Sequence, residues 1–328
     1  DIGVVYNPEI GKDNSLLLKE ICNYDAIAIR SDTKLDSVVL NKAIKLKVIG
    51  RAGIGVDNID LDSASSKGIV VMNTPFGTAI TTAEHTIAMI FAAARNIPAA
   101  NLSTQSGRWE KKKFIGIELS RKKLGIVGVG NIGSIVASLA QSIGMEIIAY
   151  DPFLSDERAK NLKIYKTKDL NDLLSQSDVV TLHFTKNENT YNIISRDNIY
   201  KMKKGSILVN CERGGLVEEI AVAEAITTKH LSAAAFDVFL EEPATSNPLF
   251  GLKNVICTPH LGASTAEAQE KVSFQIADQI INYLKNGAIA NALNAPSIDP
   301  KEALLLNPWI RLAKILGSFI GQILDSPI

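Results

Sequence analysis

The loop Gly128-Val129-Gly130-Asn131-Ile132-Gly133 narrows the folds open to this chain more than any other stretch. It directly follows the apolar run Leu124-Gly125-Ile126-Val127 and opens a segment that sets Ile132, Ile135, Val136 and Leu139 on one helical face. Glycine serves a different need at each position: a tight turn at Gly128, close approach of backbone N–H groups to a pyrophosphate at Gly130, and close packing of helix on strand at Gly133. Asn131 and Ile132 then occupy the helix N-terminus, where the dipole favours an anion. A second strand-like run, Glu146–Tyr150, is followed by Asp151, 18 positions beyond Gly133. An acid there takes the ribose 2′-OH and repels a 2′-phosphate. The pattern specifies a Rossmann-type unit with NAD, rather than NADP, as cofactor.

That unit accounts for only part of 328 residues, more than one core usually organises. The first third alternates short β-like runs, Ile2–Tyr6, Ala26–Arg30, Lys47–Gly50 and Ile69–Asn73, with helical stretches, which implies a further parallel sheet. A long helix follows, announced by the capping box Thr81-Thr82-Ala83-Glu84 and closed around Asn96 and Pro98; it reads as a hinge element. From Leu124 a second alternation begins, with strands expected at 124–127, 146–150, 179–183, 207–211, 233–238 and 255–258. A second capping box, Ser264-Thr265-Ala266-Glu267, opens a helix running to about Lys285 before Asn286-Gly287. Beyond Ala295-Pro296, Trp309, Leu312, Ile315, Leu316, Phe319 and Ile323 recur at helical spacing and start a new element. The expectation is two doubly wound α/β domains, a Rossmann-type cofactor domain and a flavodoxin-like substrate domain with a cleft between.

Lys+Arg and Asp+Glu balance at 35 each, so neither nucleic acid nor an anionic membrane is an expected partner, and small-molecule work is favoured. Cys22, Cys211 and Cys257 lie far apart and form no CxxC; the sequence suggests neither a disulfide framework nor a metal site, and a reducing cytoplasm fits. The longest apolar run, Ile87 to Ala94, is too short to span a bilayer, and no signal peptide is read at the N-terminus.

In an open α/β sheet, ligands bind beyond the carboxyl ends of the strands. Three polar residues stand just past such ends: Arg213 after Ile207–Cys211, Glu242 after Ala233–Phe239, and His260 after Val255–Pro259. Oxidising an alcohol beside a carboxylate needs a base for the hydroxyl proton, a cation for the carboxylate and an acceptor for hydride. A histidine such as His260 is the side chain suited to exchange that proton, Glu242 would hold its ring, and the planar fork of Arg213 grips two oxygens. Asp237 could take the carboxamide N–H of the nicotinamide. His183 also ends a strand and remains a candidate, whereas His85 in the hinge helix and His230 near a helix end have plainer structural readings. Cys211 could be a nucleophile or a small residue of a strand core, and Lys111-Lys112-Lys113 a solvated run or a contact with a neighbouring subunit's substrate. An earlier cluster, Gly50-Arg51-Ala52-Gly53-Ile54-Gly55, also follows a strand but has the wrong spacing for a nucleotide loop. Its exposed N–H groups and Arg51 could receive an anionic substrate group, or it could be a turn with a solvated Arg.

With these residues in view, the chain resembles the D-isomer-specific 2-hydroxyacid dehydrogenases, and among them the members that act on phosphoglycerate. The matching stretches are GRAGIGVDNIDL from Gly50, MNTPFG from Met72, the loop at Gly128 with Tyr150-Asp151-Pro152, NCERGG from Asn210, FDVFLEEP from Phe236 and TPHLGAST from Thr258. The resemblance implies Arg213 as substrate anchor, Glu242 as the partner and His260 as acid/base, with Arg51 binding a substrate phosphate. Taken with the strand-end reading, the cofactor set is Gly128, Gly130, Asn131, Ile132, Gly133, Asp151, His183, Cys211, Asp237 and Gly262, and the substrate set is Arg51, Gly53, Ile54, Asn73, Arg213 and His260. The expected reaction is NAD-dependent oxidation of 3-phospho-D-glycerate to 3-phosphohydroxypyruvate, the first step of phosphorylated serine biosynthesis. Alternatives are reduction of hydroxypyruvate, glyoxylate or another 2-oxoacid and, from another class, an NAD-sensing binding module of the corepressor kind.

The resemblance further implies a discontinuous substrate domain (1–96 and 267–296), an NAD-binding domain (97–266), the start of a truncated further domain (297–328), and a cytoplasmic homodimer or homotetramer. Two positions depart from the pattern: Thr185 stands where a proline is usual after His183, and Glu212 puts a charge beside Arg213.

Overall fold

The computed structural model describes residues 2–75 and 77–323. The chain divides into two units, 1–78 with 266–328 and 79–265, so the smaller one is discontinuous in sequence.

In the larger unit seven parallel strands form one sheet: β4 (Lys123–Val127), β5 (Glu146–Tyr150), β6 (Tyr165–Thr167), β7 (Val179–Leu182), β8 (Ile207–Asn210), β9 (Ala233–Phe236) and β10 (Val255–Cys257). Their spatial order is β10-β9-β8-β7-β4-β5-β6. The chain builds outward from β4 in one direction, then returns to β4's other side with β7 and builds outward again. The point of reversal lies between β4 and β7, where a doubly wound sheet opens a crevice at its carboxyl edge.

Side chains alternate across this sheet and bury both faces. Leu124, Ile126, Ile147, Ala149, Val179 and Val209 pack on one side with Ile90, Val136 and Ala140 from the helices Ala79–Ala94 and Asn131–Ser142. Ile148, Val180, Leu182, Leu208 and Phe236 pack on the other with Leu173, Ala221 and Val222. The short β6 has little apolar content, with Tyr165 65% exposed, which is why periodicity alone did not reveal it.

The smaller unit holds a three-stranded parallel sheet in the order β1 (Ala26–Ile29), β2 (Val48–Arg51), β3 (Val70–Met72). Ile29, Ile49 and Val71 face helices of the first 66 residues through Leu17, Val39, Leu40 and Ala64. Val48, Val70 and Met72 face Ile276 and Ile280 of the helix Ala266–Asn286. Gly50 is glycine because a Cβ there would stand 2.6 Å from both Ile276 and Ile280.

Three sequence expectations are corrected. The run Ile2–Tyr6 is not a strand: Val4 and Tyr6 are 84% and 88% exposed, and among the described residues this β-branched run has no neighbour to pair with, so it gains nothing from its propensity. The helix after β3 begins at Ala79, so the Thr81–Glu84 box lies inside it rather than at its start. That helix also belongs to the larger unit, placing the division at Thr78 instead of residue 96, because its buried Ala83, Met89, Ile90, Ala93 and Ala94 join the core of the large sheet. The helix Pro300–Gly321, capped by Asp299 and Glu302, groups with the smaller unit and leaves Trp309 and Phe319 exposed.

Candidate active site

At the carboxyl end of β4 the chain makes the turn that the glycines require. Gly128 has φ +101°, and a Cβ on it would lie 2.7 Å from the His183 carbonyl oxygen; one on Gly133 would overlap the Gly128 carbonyl. Gly130 is different: a Cβ there would meet nothing within 4 Å among the described residues, so its front is open. It precedes the helix Asn131–Ser142, whose first turn has no side-chain cap from Gly130 and leads with Asn131, Ile132 and Gly133. An open glycine at an uncapped helix N-terminus is the cradle a pyrophosphate needs, so the residues fit a dinucleotide. Asp151, 8% exposed, accepts the Val129 N–H at 2.8 Å through Oδ2 and the Phe153 N–H at 2.8 Å through Oδ1. It is fastened to the glycine loop itself, and a carboxylate retains lone pairs beyond those two bonds.

Across the point of reversal, His183 follows β7. Its Nε2 lies 3.1 Å from Thr181 Oγ1, and burial lowers its pKa to about 3, so the ring is neutral. Cys211, at the end of β8, is buried and its thiol is pushed upward by that burial and by Asp237, against a bond from Thr86. It carries no thiolate near neutral pH, and the nucleophile reading lapses.

The strand-end groups converge on the segment after β9. Glu242 accepts the Phe239 N–H through Oε1 at 3.0 Å, and its Oε2 lies 2.6 Å from His260 Nδ1. Burial pushes the Glu242 carboxyl upward, but the bonds from His260 and Phe239 outweigh it and hold the group below the usual carboxylate value. The pair therefore keeps Nδ1 as the donor and leaves Nε2 to act. The backbone just after Arg213 packs against the same segment. Gly214 lies so close to Phe239 that a Cβ would overlap the Phe239 carbonyl, and Asn210 Nδ2 donates to the Arg213 carbonyl at 3.0 Å. Arg213 Nη1 donates to the Glu212 carbonyl at 2.6 Å and lies 3.8 Å from the Glu212 carboxylate.

Asp237 and Gly262 are engaged with each other. The Asp237 side chain is fully buried and accepts from Thr258 Oγ1 at 2.5 Å and from the Leu261 and Gly262 N–H groups at 2.8 Å each. The residues Thr258, Thr82 and His85 around it were not assigned from sequence. A signal existed for the helical ones, because Thr82, His85, Thr86 and Met89 share one face.

The second set lies in the smaller unit at the end of β2. The Gly53 N–H donates to Thr74 Oγ1 at 2.7 Å, Thr74 N–H returns a bond to the Gly53 carbonyl at 3.0 Å, and Asn73 Nδ2 donates to the Ile54 carbonyl at 2.6 Å. Arg51 Nη1 donates to the Ala52 carbonyl at 3.2 Å. The expectation of exposed N–H groups is corrected at Gly53, whose N–H the loop uses internally; Thr74, missed in the sequence, is the residue that takes it.

The strand order and the glycine loop at its reversal define a dinucleotide-binding α/β protein. The chain belongs to the D-isomer specific 2-hydroxyacid dehydrogenase family: residues 87–262 match that family's NAD binding domain. It is similar to a D-3-phosphoglycerate dehydrogenase of Archaeoglobus fulgidus, 45% identical over 99% of this chain and 62% of the relative. A D-3-phosphoglycerate dehydrogenase of Methanocaldococcus jannaschii is 46% identical over 95% of this chain and 60% of its own length. The chain thus spans about three fifths of these curated relatives. Among solved structures, a D-lactate dehydrogenase of Aquifex aeolicus complexed with NAD and lactic acid superimposes with a TM-score of 0.76 at 28% identity, covering 85% of this chain and 89% of that one.

Proposed function

We propose that this chain oxidises 3-phospho-D-glycerate to 3-phosphohydroxypyruvate with NAD. The observation that carries the chemistry is the 2.6 Å contact between Glu242 and His260, set in the same unit as the open glycine loop. The names of the relatives supply the substrate class. NAD, when bound, accepts the hydride from C2. His260 removes the hydroxyl proton through Nε2, so the alcohol loses one hydride and one proton and becomes the ketone; reduction reverses both transfers. Glu242 keeps the ring oriented through Nδ1. Arg213 holds the substrate carboxylate in a two-point grip that Lys would not reproduce. Gly128, Gly130, Asn131, Ile132, Gly133 and Asp151 hold the dinucleotide. Arg51, with Gly53, Ile54 and Asn73 shaping its loop, receives the phosphate. On this reading 79–265 is the cofactor domain and the smaller unit the substrate domain, and the protein works in the cytoplasm as a homo-oligomer.

The deciding experiment is initial-rate turnover across phosphorylated and plain 2-hydroxyacids, with Arg51→Ala beside the native protein. We expect 3-phospho-D-glycerate to be preferred, with Arg51→Ala raising its KM by about 10-fold or more at nearly unchanged kcat, as loss of uniform binding does. A preference for an unphosphorylated acid, or an unchanged KM, contradicts the substrate assignment. NAD binding without turnover of any acid would favour a sensing module.

A further inference from the structure

His260 sits in a backbone conformation that side chains seldom adopt, with φ +55°. Something must hold it there, and the structure shows what does. The His260 N–H donates to the Asp237 carbonyl at 2.8 Å, and the next two N–H groups, of Leu261 and Gly262, donate to the two Asp237 carboxylate oxygens. Thr258 Oγ1 binds the same carboxylate from the other side of the histidine. Asp237 therefore clamps the turn before and after His260, while Glu242 clamps the ring.

A fully buried carboxylate is costly unless its charge is met. Burial pushes the Asp237 carboxyl upward, yet His85, Thr258 and the Leu261 N–H together hold it below its ordinary value. Of these, His85 is the first in size and comes from a different element, the helix Ala79–Ala94. Its Nε2 lies 3.2 Å from Asp237 Oδ1, within reach of the carboxylate, and among the groups that oppose the cost of burial this polar contact comes first and the charge of the ring last. Its helical neighbours face the same cluster. A Cβ on Gly262 would stand 3.4 Å from Thr82, and Thr86 bonds the Cys211 thiol. One helical face thus covers the ends of β8 and β9 and the turn that carries His260.

We propose that His85 is a positioning residue for His260: by presenting a ring N–H to the buried Asp237 carboxylate it keeps the 258–262 turn, and with it the acid/base ring, in its strained working conformation. It touches neither reacting atoms nor, on this geometry, the ring itself. The claim rests on the functional reading above for its kinetic consequence, but not for its structural one.

The test compares His85→Leu, which keeps bulk and removes the donor, with His85→Gln, which restores a donor of similar reach. Hydrogen exchange of the cofactor-free protein should show the Leu261 and Gly262 amides exchanging about 10-fold faster in His85→Leu, with protection in β4 unchanged and most of the difference recovered in His85→Gln. Turnover should fall about 10-fold in kcat with KM for the acid within about 2-fold, and Gln should recover it. Unchanged exchange in the 258–262 turn, a loss of protection spread equally through β4, or faster exchange with unaltered kcat would each overturn the proposal. If the native protein oxidises no acid, the functional reading fails instead, and the exchange measurement alone decides the role of His85.

Discussion

The glycine loops after β4 and β2 do opposite things with the same residue. After β4, Gly130 faces open space and leads into a 12-residue helix, leaving N–H groups directed outward at a positive dipole end. After β2, the Gly53 N–H is taken by Thr74, and no helix begins until Leu61. Gly53 has φ +139°, and a Cβ there would overlap the Arg51 guanidinium. The first loop offers its backbone to a ligand; the second folds its backbone on itself and offers a side chain. Glycine alone therefore does not mark a phosphate site, and the number of N–H groups left open does.

The comparison can be broken where the effects are largest. Chemistry is assigned to the larger unit, so His260→Asn should lower kcat by about 10²–10⁴-fold while leaving NAD affinity near native, measured by single-turnover kinetics and by titration. Retained turnover would remove the acid/base role. Next, Gly128 and Gly130 should separate fold from binding. Gly130→Ala should leave the melting temperature within about 2 °C yet weaken NAD at least about 10-fold, because the added methyl enters only the open cradle. Gly128→Ala should instead destabilise by about 2–4 kcal/mol, since it meets both a positive φ and the His183 carbonyl. Equal behaviour of the two variants would contradict the distinction.

The smallest effect is an acid dependence of stability at that same contact. His183 is neutral in the fold with a pKa of about 3, whereas the unfolded chain binds its proton near the ordinary value. Its contribution is complete above about pH 6.5 and is lost as the pH falls toward 3, because the unfolded state then holds the extra proton. Urea unfolding should show about 2 kcal/mol lost between pH 7 and pH 5 from this group, and His183→Asn should flatten that portion.

Much of this was legible in the sequence because it rests on local rules. The strand-loop-helix order around Gly128 follows from periodicity and glycine spacing, and the carboxyl-edge rule selected Arg213, Glu242 and His260 across large sequence separations. What escaped was set by tertiary contact. Ile2–Tyr6 has the composition of a strand but no strand partner among the described residues. Thr74 is unremarkable until Gly53 lies against it. Asp237, assigned to the cofactor from its position alone, proves to bind the turn that carries His260, a function visible only once Thr258, Leu261 and Gly262 surround it. His85 reads as a helix residue in the chain and lies against the buried Asp237 carboxylate in the fold.

The most direct test of the central claim, that the larger unit moves a hydride from C2 of a phosphorylated 2-hydroxyacid to NAD, is isotopic. With 3-phospho-D-glycerate carrying deuterium at C2, the NADH formed by the native protein should contain one deuterium at the nicotinamide C4 position. Formation of unlabelled NADH, or of no NADH at all, would contradict the account.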